Sequence, residues 1–310
     1  MRFFKRERKV GLALSGGAAR ALSHVGVLEV LEEIGIKPRA ISGTSMGAII
    51  GAFYSMGITT DEMKSYIKSM NWRSFLLFSD LALSKTGIIN GGKIEEVLKK
   101  FLGSKTFSDC KIPFCCVATD LVKKEKVILS EGKLIDAVRA SISIPGFISV
   151  VYLNDKILVD GGIIEPLPVE SLKSFDINLT IASSISFKRE EEKYAKLLGE
   201  GLSKMDSGKK ESDHYQKSVN DGKKKKIFNI KRAGIMQKRI PESLSVKRVI
   251  DTSFSIVQQE LVKYCIKGAD IVIEPEVGDF GFFDLMHGSE IIQRGVEAAR
   301  EKIPEIRKKL

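Results

Sequence analysis

Three hundred and ten residues, 43% hydrophobic and 29% charged, suit one large α/β domain and are too apolar for wholesale disorder. No uncharged apolar run nears the ~18 residues of a transmembrane helix. The N-terminus, Met1-Arg2-Phe3-Phe4-Lys5-Arg6, turns charged before the apolar core of a secretory signal forms, so a cytoplasmic chain with a formal charge of +11 is expected.

Residues 9–14 read as a short buried strand that runs into the turn Ser15-Gly16-Gly17. Val25, Leu28, Leu31 and Ile34 recur at three-residue steps and predict a helix over 24–34, which Gly35 stops. A second strand at 39–42 meets Gly43-Thr44-Ser45-Met46-Gly47 at once, and the following helix opens with Gly47, Ala48, Gly51 and Ala52, small enough to lie close on a sheet. Strand, helix, strand, helix within about fifty residues signals an α/β domain around a largely parallel sheet. Further strands are expected at 113–119, 126–129, 156–159 and 179–184, and helices at 92–102 and 134–140. Residues 190–226 are charged and glycine-punctuated, an excursion more than a core element. Regular patterning returns with a helix over 249–268, a strand Ile271-Val272-Ile273 and a last helix from Ser289. The organisation expected is a single domain over 1–310 with a basic insertion at 186–248.

Between Gln216 and Arg248 eleven residues are basic and two acidic (Asp221, Glu242), so this stretch carries +9 of the total. Such a run, here residues 217–248, suits an anionic membrane surface, where each lysine contributes about 1 kcal/mol; it reads equally as a solvated loop. Nucleic acid is not expected, because aromatic interleaving and zinc-finger or RNP patterns are lacking. Phe75-Leu76-Leu77-Phe78, beside Trp72 and Arg73, and Phe280-Gly281-Phe282-Phe283 read either as core-facing turns or as an acyl-binding wall. Cys110, Cys115, Cys116 and Cys265 have no metal-ligand spacing and suit reduced thiols.

Gly43 to Gly47 matches G-x-S-x-G between a predicted strand and a predicted helix. A serine on that sharp turn projects its hydroxyl, the glycines avoid Cβ clashes, and the helix N-terminus adds positive dipole. Gly16-Gly17-Ala18-Ala19-Arg20 also joins a strand to a helix, and its small residues let backbone N–H groups approach an anion. It is neither a P-loop nor a complete dinucleotide fingerprint, so beside a nucleophile it suits an oxyanion hole. Ser45 needs a base. His24 suits a structural role and His214 a solvated one, whereas His287 completes a chain order Ser, Asp, His; Asp160, in Val159-Asp160-Gly161-Gly162, ends an apolar strand and is otherwise a plain turn.

Together these blocks resemble the patatin-like phospholipase family. The turn with Arg20 and Ser23-His24-Val25-Gly26-Val27-Leu28 is similar to its first block, Gly43 to Gly47 to its lipase motif. Ala140-Ser141-Ile142-Ser143-Ile144-Pro145-Gly146 and Val159 to Gly162 through Pro166-Leu167-Pro168 are similar to its last two, and 186–248 matches no block. The resemblance implies a three-layer α/β/α fold with a largely parallel sheet and a serine acyl hydrolase that cleaves phospholipid or lysophospholipid esters. It implies a Ser45–Asp160 dyad, an oxyanion hole from Gly16, Gly17 and Ala18, supporting roles for Arg20, Gly43, Gly47, Gly161 and Gly162, and no metal or organic cofactor. The family's anion turn has glycine where this chain has Ala18 and Ala21; the turn is expected to survive if both keep negative φ, and the oxyanion hole to be impaired if positive φ is demanded there. The alternatives are a Ser45-Asp160-His287 triad and a lipid-binding regulatory protein with weak catalysis.

Overall fold

The computed structural model describes residues 8–69, 92–185, 246–281 and 284–310. The chain forms two compact units, Met1–Arg189 with Ser255–Leu310, and Glu190–Phe254, of which 246–254 are described. The first unit is built on an eight-stranded sheet: β1 (Val10–Leu14), β2 (Ala40–Thr44), β3 (Phe114–Asp120), β4 (Glu125–Leu129), β5 (Val151–Leu153), β6 (Lys156–Asp160), β7 (Leu179–Ser183) and β8 (Ile271–Ile273). β8, β7, β1, β2 and β3 lie side by side and parallel; β4 and β6 pair antiparallel with β3, and β5 with β6. The helices are α1 (Ser23–Glu33), α2 (Met46–Met56), α3 (Thr60–Ser69), α4 (Gly92–Leu102), α5 (Leu134–Ser141), α6 (Val246–Cys265) and α7 (Gly288–Lys309).

Strand alternation sorts side chains into two layers. Leu12, Leu14, Ile41 and Ile181 join the larger core with residues of α1, α2, α5 and α7. Ala13, Ala40 and Ala182 face the other way onto Leu167, Val169 and Leu172, with Val262 and Cys265 of α6 packed against them. The sheet is therefore mixed, mostly parallel and covered by helices on both sides, the three-layer α/β/α arrangement expected. Among the described residues no helix is long and apolar enough to cross a membrane.

A discontinuity in the sheet positions the site. Cys116 and Val117 pair with both β2 and β4, and Ala118 to Asp120 pair with both β4 and β6. A strand has two edges, so β2 and β6 must share the same edge of β3. β2 arrives parallel and ends at Thr44 opposite Val117; β6 arrives antiparallel and ends at Asp160 opposite Ala118. The C-terminal ends of two strands distant in sequence thus converge head to head.

α1 and α7 cross on glycines. A Cβ on Gly295 would stand 1.9 Å from Ser23 O, and one on Gly26 would stand 2.1 Å from Ile292 O. Both obstacles are backbone, so the helices would have to separate. Gly295→Ala is expected to destabilise the fold by about 2–3 kcal/mol in urea unfolding. Gly281→Ala, whose Cβ finds nothing nearer than 3.7 Å among the described residues, should change it by less than about 0.5 kcal/mol. Equal effects would refute the close crossing.

Candidate active site

Ser45 stands between β2 and α2 with φ 55° and ψ −126°, a conformation that L-residues seldom adopt. The flanking glycines are required by space. A Cβ on Gly43 would meet Gly47 O at 2.5 Å, and one on Gly47 would meet the carbonyls of Leu14 and Ser15 at 2.5 Å. Ser45 O accepts from the Ala48 N–H (2.8 Å), and the serine lies 4% exposed at the start of α2.

Asp160 is fully buried. Gly162 N–H donates to its Oδ1 at 2.7 Å, and Gly161 has no room for a side chain, its Cβ falling 2.3 Å from Val117 O. Burial lifts the carboxyl to about 6, while Ser45 and the Gly162 amide favour the charged form and pull it partly back. Ser45 is near enough to act on that charge, yet Asp160 Oδ2 has no completed hydrogen bond. Catalytic hydrogen bonds often tighten only once substrate is bound.

The anion turn lies against the serine, a Cβ on Gly16 falling 3.3 Å from Ser45 Cβ. Gly16 itself is not a free donor: its N–H is committed to Pro166 O at 2.9 Å. No acceptor is found for the amides of Gly17 and Ala18 among the described residues, which narrows the expected oxyanion donors to these two. Gly17 has φ 144° and Ala18 has φ 50°, so the condition of negative φ is not met at Ala18; Ala21 sits inside the short 3-10 turn Ala18–Leu22. The left-handed turn is retained and alanine tolerates it at a cost of about 1–2 kcal/mol.

Arg20 is buried, and its Nε donates to Phe280 O at 2.8 Å, fastening the turn to the C-terminal segment. His24 is buried in α1 and pins strand ends together. Its Nε2 lies 2.9 Å from Ser15 O, an acceptor, so Nε2 carries the proton and Nδ1 accepts from Ser183 Oγ at 2.7 Å. Burial lowers its pKa to about 4, leaving a neutral structural imidazole.

A cavity of about 160 Å³ adjoins Ser45. Ala18, Met46, Ile49, Phe53, Leu98, Phe101 and Ile142 are among its walls, and Ser45 and Tyr66 are its only polar side chains among the described residues. α3 supplies Met63, Tyr66 and Ile67 and was not anticipated from the sequence; its entry is a capping box, Thr59 N–H donating to Glu62 Oε2 (2.8 Å) and Glu62 N–H to Thr59 Oγ1 (3.2 Å).

His287 is not brought to Asp160. It lies exposed before α7, its Nδ1 2.6 Å from Asp284 Oδ1, and that hydrogen bond raises its pKa. Residues 217–245 of the basic stretch, His214, Trp72 to Phe78, and Phe282 with Phe283 lie outside the described residues.

The architecture is thus an α/β/α sheet with a strained strand–serine–helix elbow and a buried aspartate at one sheet discontinuity. The patatin-like phospholipase family model matches residues 12–173. The chain belongs to the patatin-like phospholipase family. It is 37% identical over 178 residues to an uncharacterized NTE family protein of Mycobacterium bovis, covering 57% of this chain and 49% of that one. It is 32% identical over 182 residues to lysophospholipase NTE1 of Candida glabrata, covering 57% and 10%. The chain therefore spans about half or less of the length of these relatives. The crystal structure of VipD from Legionella pneumophila superposes with a TM-score of 0.47 and 15% identity, over 95% of this chain and 66% of that one.

Proposed function

We propose that the protein is a serine acyl hydrolase working through a Ser45–Asp160 dyad on phospholipid or lysophospholipid esters. The observation that carries this reading is the strained Ser45 at the wall of an apolar cavity, with the buried Asp160 carboxylate beside it. Ser45 Oγ attacks the ester carbonyl carbon as its proton passes to Asp160. The Gly17 and Ala18 amides receive the developing oxyanion. Collapse breaks the bond to the leaving alcohol, which takes the proton from Asp160, and an acyl-Ser45 remains. Water then attacks, giving its proton to Asp160; the fatty acid departs and Ser45 Oγ regains the proton. The apolar lining of the cavity suits the hydrocarbon of an acyl chain next to Ser45, and the lysophospholipase among the relatives supports lipid esters as substrates.

Contact with a lipid surface belongs to the same reading. Leu121, Val122, Tyr152 and Ile157 are exposed at the antiparallel end of the sheet, and Lys123 and Lys124 adjoin them. Lysophosphatidylcholine presented with neutral or anionic vesicles tests both parts. Release of fatty acid, with the chain floating more with anionic vesicles, is expected. A folded chain releasing none from either preparation would refute the hydrolase reading, and equal or absent flotation would remove the electrostatic part.

A further inference from the structure

The ladder beneath the nucleophile has a hydroxyl built into it. Ile41 N–H donates to Pro113 O, a regular rung between β2 and β3. The same register, with Gly43 opposite Cys116, carried on by two residues would bring Ser45 N–H to the Val117 carbonyl. That rung is not made directly. Ser45 N–H donates to Ser141 Oγ at 3.0 Å, and Ser141 donates onward to Val117 O at 2.7 Å. Ser141 is fully buried as the last residue of α5, and both its bonds close groups that the sheet leaves open.

A direct N–H···O rung is about 2.9 Å long. Replacing it with two bonds through a hydroxyl separates Ser45 from β3, and there the backbone leaves the sheet at φ 55°. The same segment holds the other side of the discontinuity. Asp160 N–H donates to Ser143 O at 2.9 Å, and Arg139 donates to Ser143 Oγ and Ser149 Oγ, each at 2.8 Å. One stretch, 139–149, therefore grips the backbone of both Ser45 and Asp160.

We infer that Ser141 is a positioning residue of the nucleophile elbow, its hydroxyl a spacer in the β2–β3 ladder that sets Ser45 Oγ relative to Asp160. This rests on Ser45 being the nucleophile. A buried serine that merely satisfied Val117 O would affect stability alone.

The test compares wild type, Ser141→Ala and Ser141→Cys in the full chain, by nitrophenyl ester turnover, fluorophosphonate labelling and hydrogen exchange at the Ser45 amide. In Ser141→Ala, kcat and the labelling rate should fall together by about 10²-fold, the effect of a small misplacement of reacting groups, with KM within about twofold. The Ser45 amide should exchange at least about tenfold faster. Cysteine keeps the shape but is a weak donor and acceptor, so Ser141→Cys should lose roughly tenfold in kcat and stay folded if alanine does not. Wild-type kcat in folded Ser141→Cys, a loss confined to KM, or unchanged exchange at Ser45 would each overturn the inference. Wild type inert to ester and probe would remove the hydrolase reading instead, and the exchange rates would still decide whether Ser141 is the spacer.

Discussion

Ser45→Ala should abolish fluorophosphonate labelling and lower ester turnover by about 10⁴-fold or more, the usual scale for loss of a covalent nucleophile. Ser45→Gly should be equally inactive, and the comparison of the two separates chemistry from strain. Serine and alanine both hold a Cβ at φ 55° and ψ −126°, a region that costs about 1–3 kcal/mol for an L-residue. Glycine relieves that cost while adding about 0.4–1 kcal/mol of unfolded-state entropy. Strain wins, so Ser45→Gly should be more stable than Ser45→Ala by roughly 1 kcal/mol in urea unfolding. A glycine variant no more stable than alanine would mean that the elbow is relaxed; a labelled Ser45→Ala would place the nucleophile elsewhere.

The elbow was legible because its requirements are local. Gly43 and Gly47 face backbone atoms at 2.5 Å, and no other residue fits there, so the geometry is written in five consecutive letters. The parallel core was legible for a similar reason: strands such as Val10–Leu14, buried along their whole length, read as unbroken apolar runs. Asp160 looked like a turn, because what distinguishes it is the meeting of β6 with β2 along β3, a tertiary event. The commitment of the Gly16 amide to Pro166 was hidden likewise. Ala18 left its φ open, since alanine gives no local sign of a left-handed φ that the turn imposes. β5 went unseen because three residues carry no period. α3 need not have been missed: Thr59 and Glu62 are the capping-box spacing just ahead of its first turn. The order Ser45, Asp160, His287 suggested a triad, but Asp284, one helical turn before the histidine, holds it instead.

Asp160→Asn should separate activity from stability in opposite directions. In the proposed dyad the carboxylate form accepts the Ser45 proton, and burial lifts the carboxyl to about 6. kcat/KM of the wild type should therefore rise with pH through about 6 and level off above it. An amide cannot take that proton, so Asp160→Asn should lose about 10³–10⁴-fold at every pH. His287→Ala should stay within about twofold; a triad would need that histidine as its base. For stability, the folded carboxyl lies at about 6 against an ordinary value of 3.8, so the folded protein binds more protons between those values. The carboxyl's stabilising neutral form is fully present below 3.8 and lost as pH rises through about 6, leaving a penalty of about 3 kcal/mol above that window. Asparagine keeps an oxygen for the Gly162 N–H and carries no charge. Asp160→Asn should accordingly be more stable than wild type at pH 8, by an amount approaching about 3 kcal/mol, with the advantage gone below pH ~4. A variant that lost activity and stability together at pH 8 would mark Asp160 as structural. A stability gain with full activity would leave Ser45 needing another base.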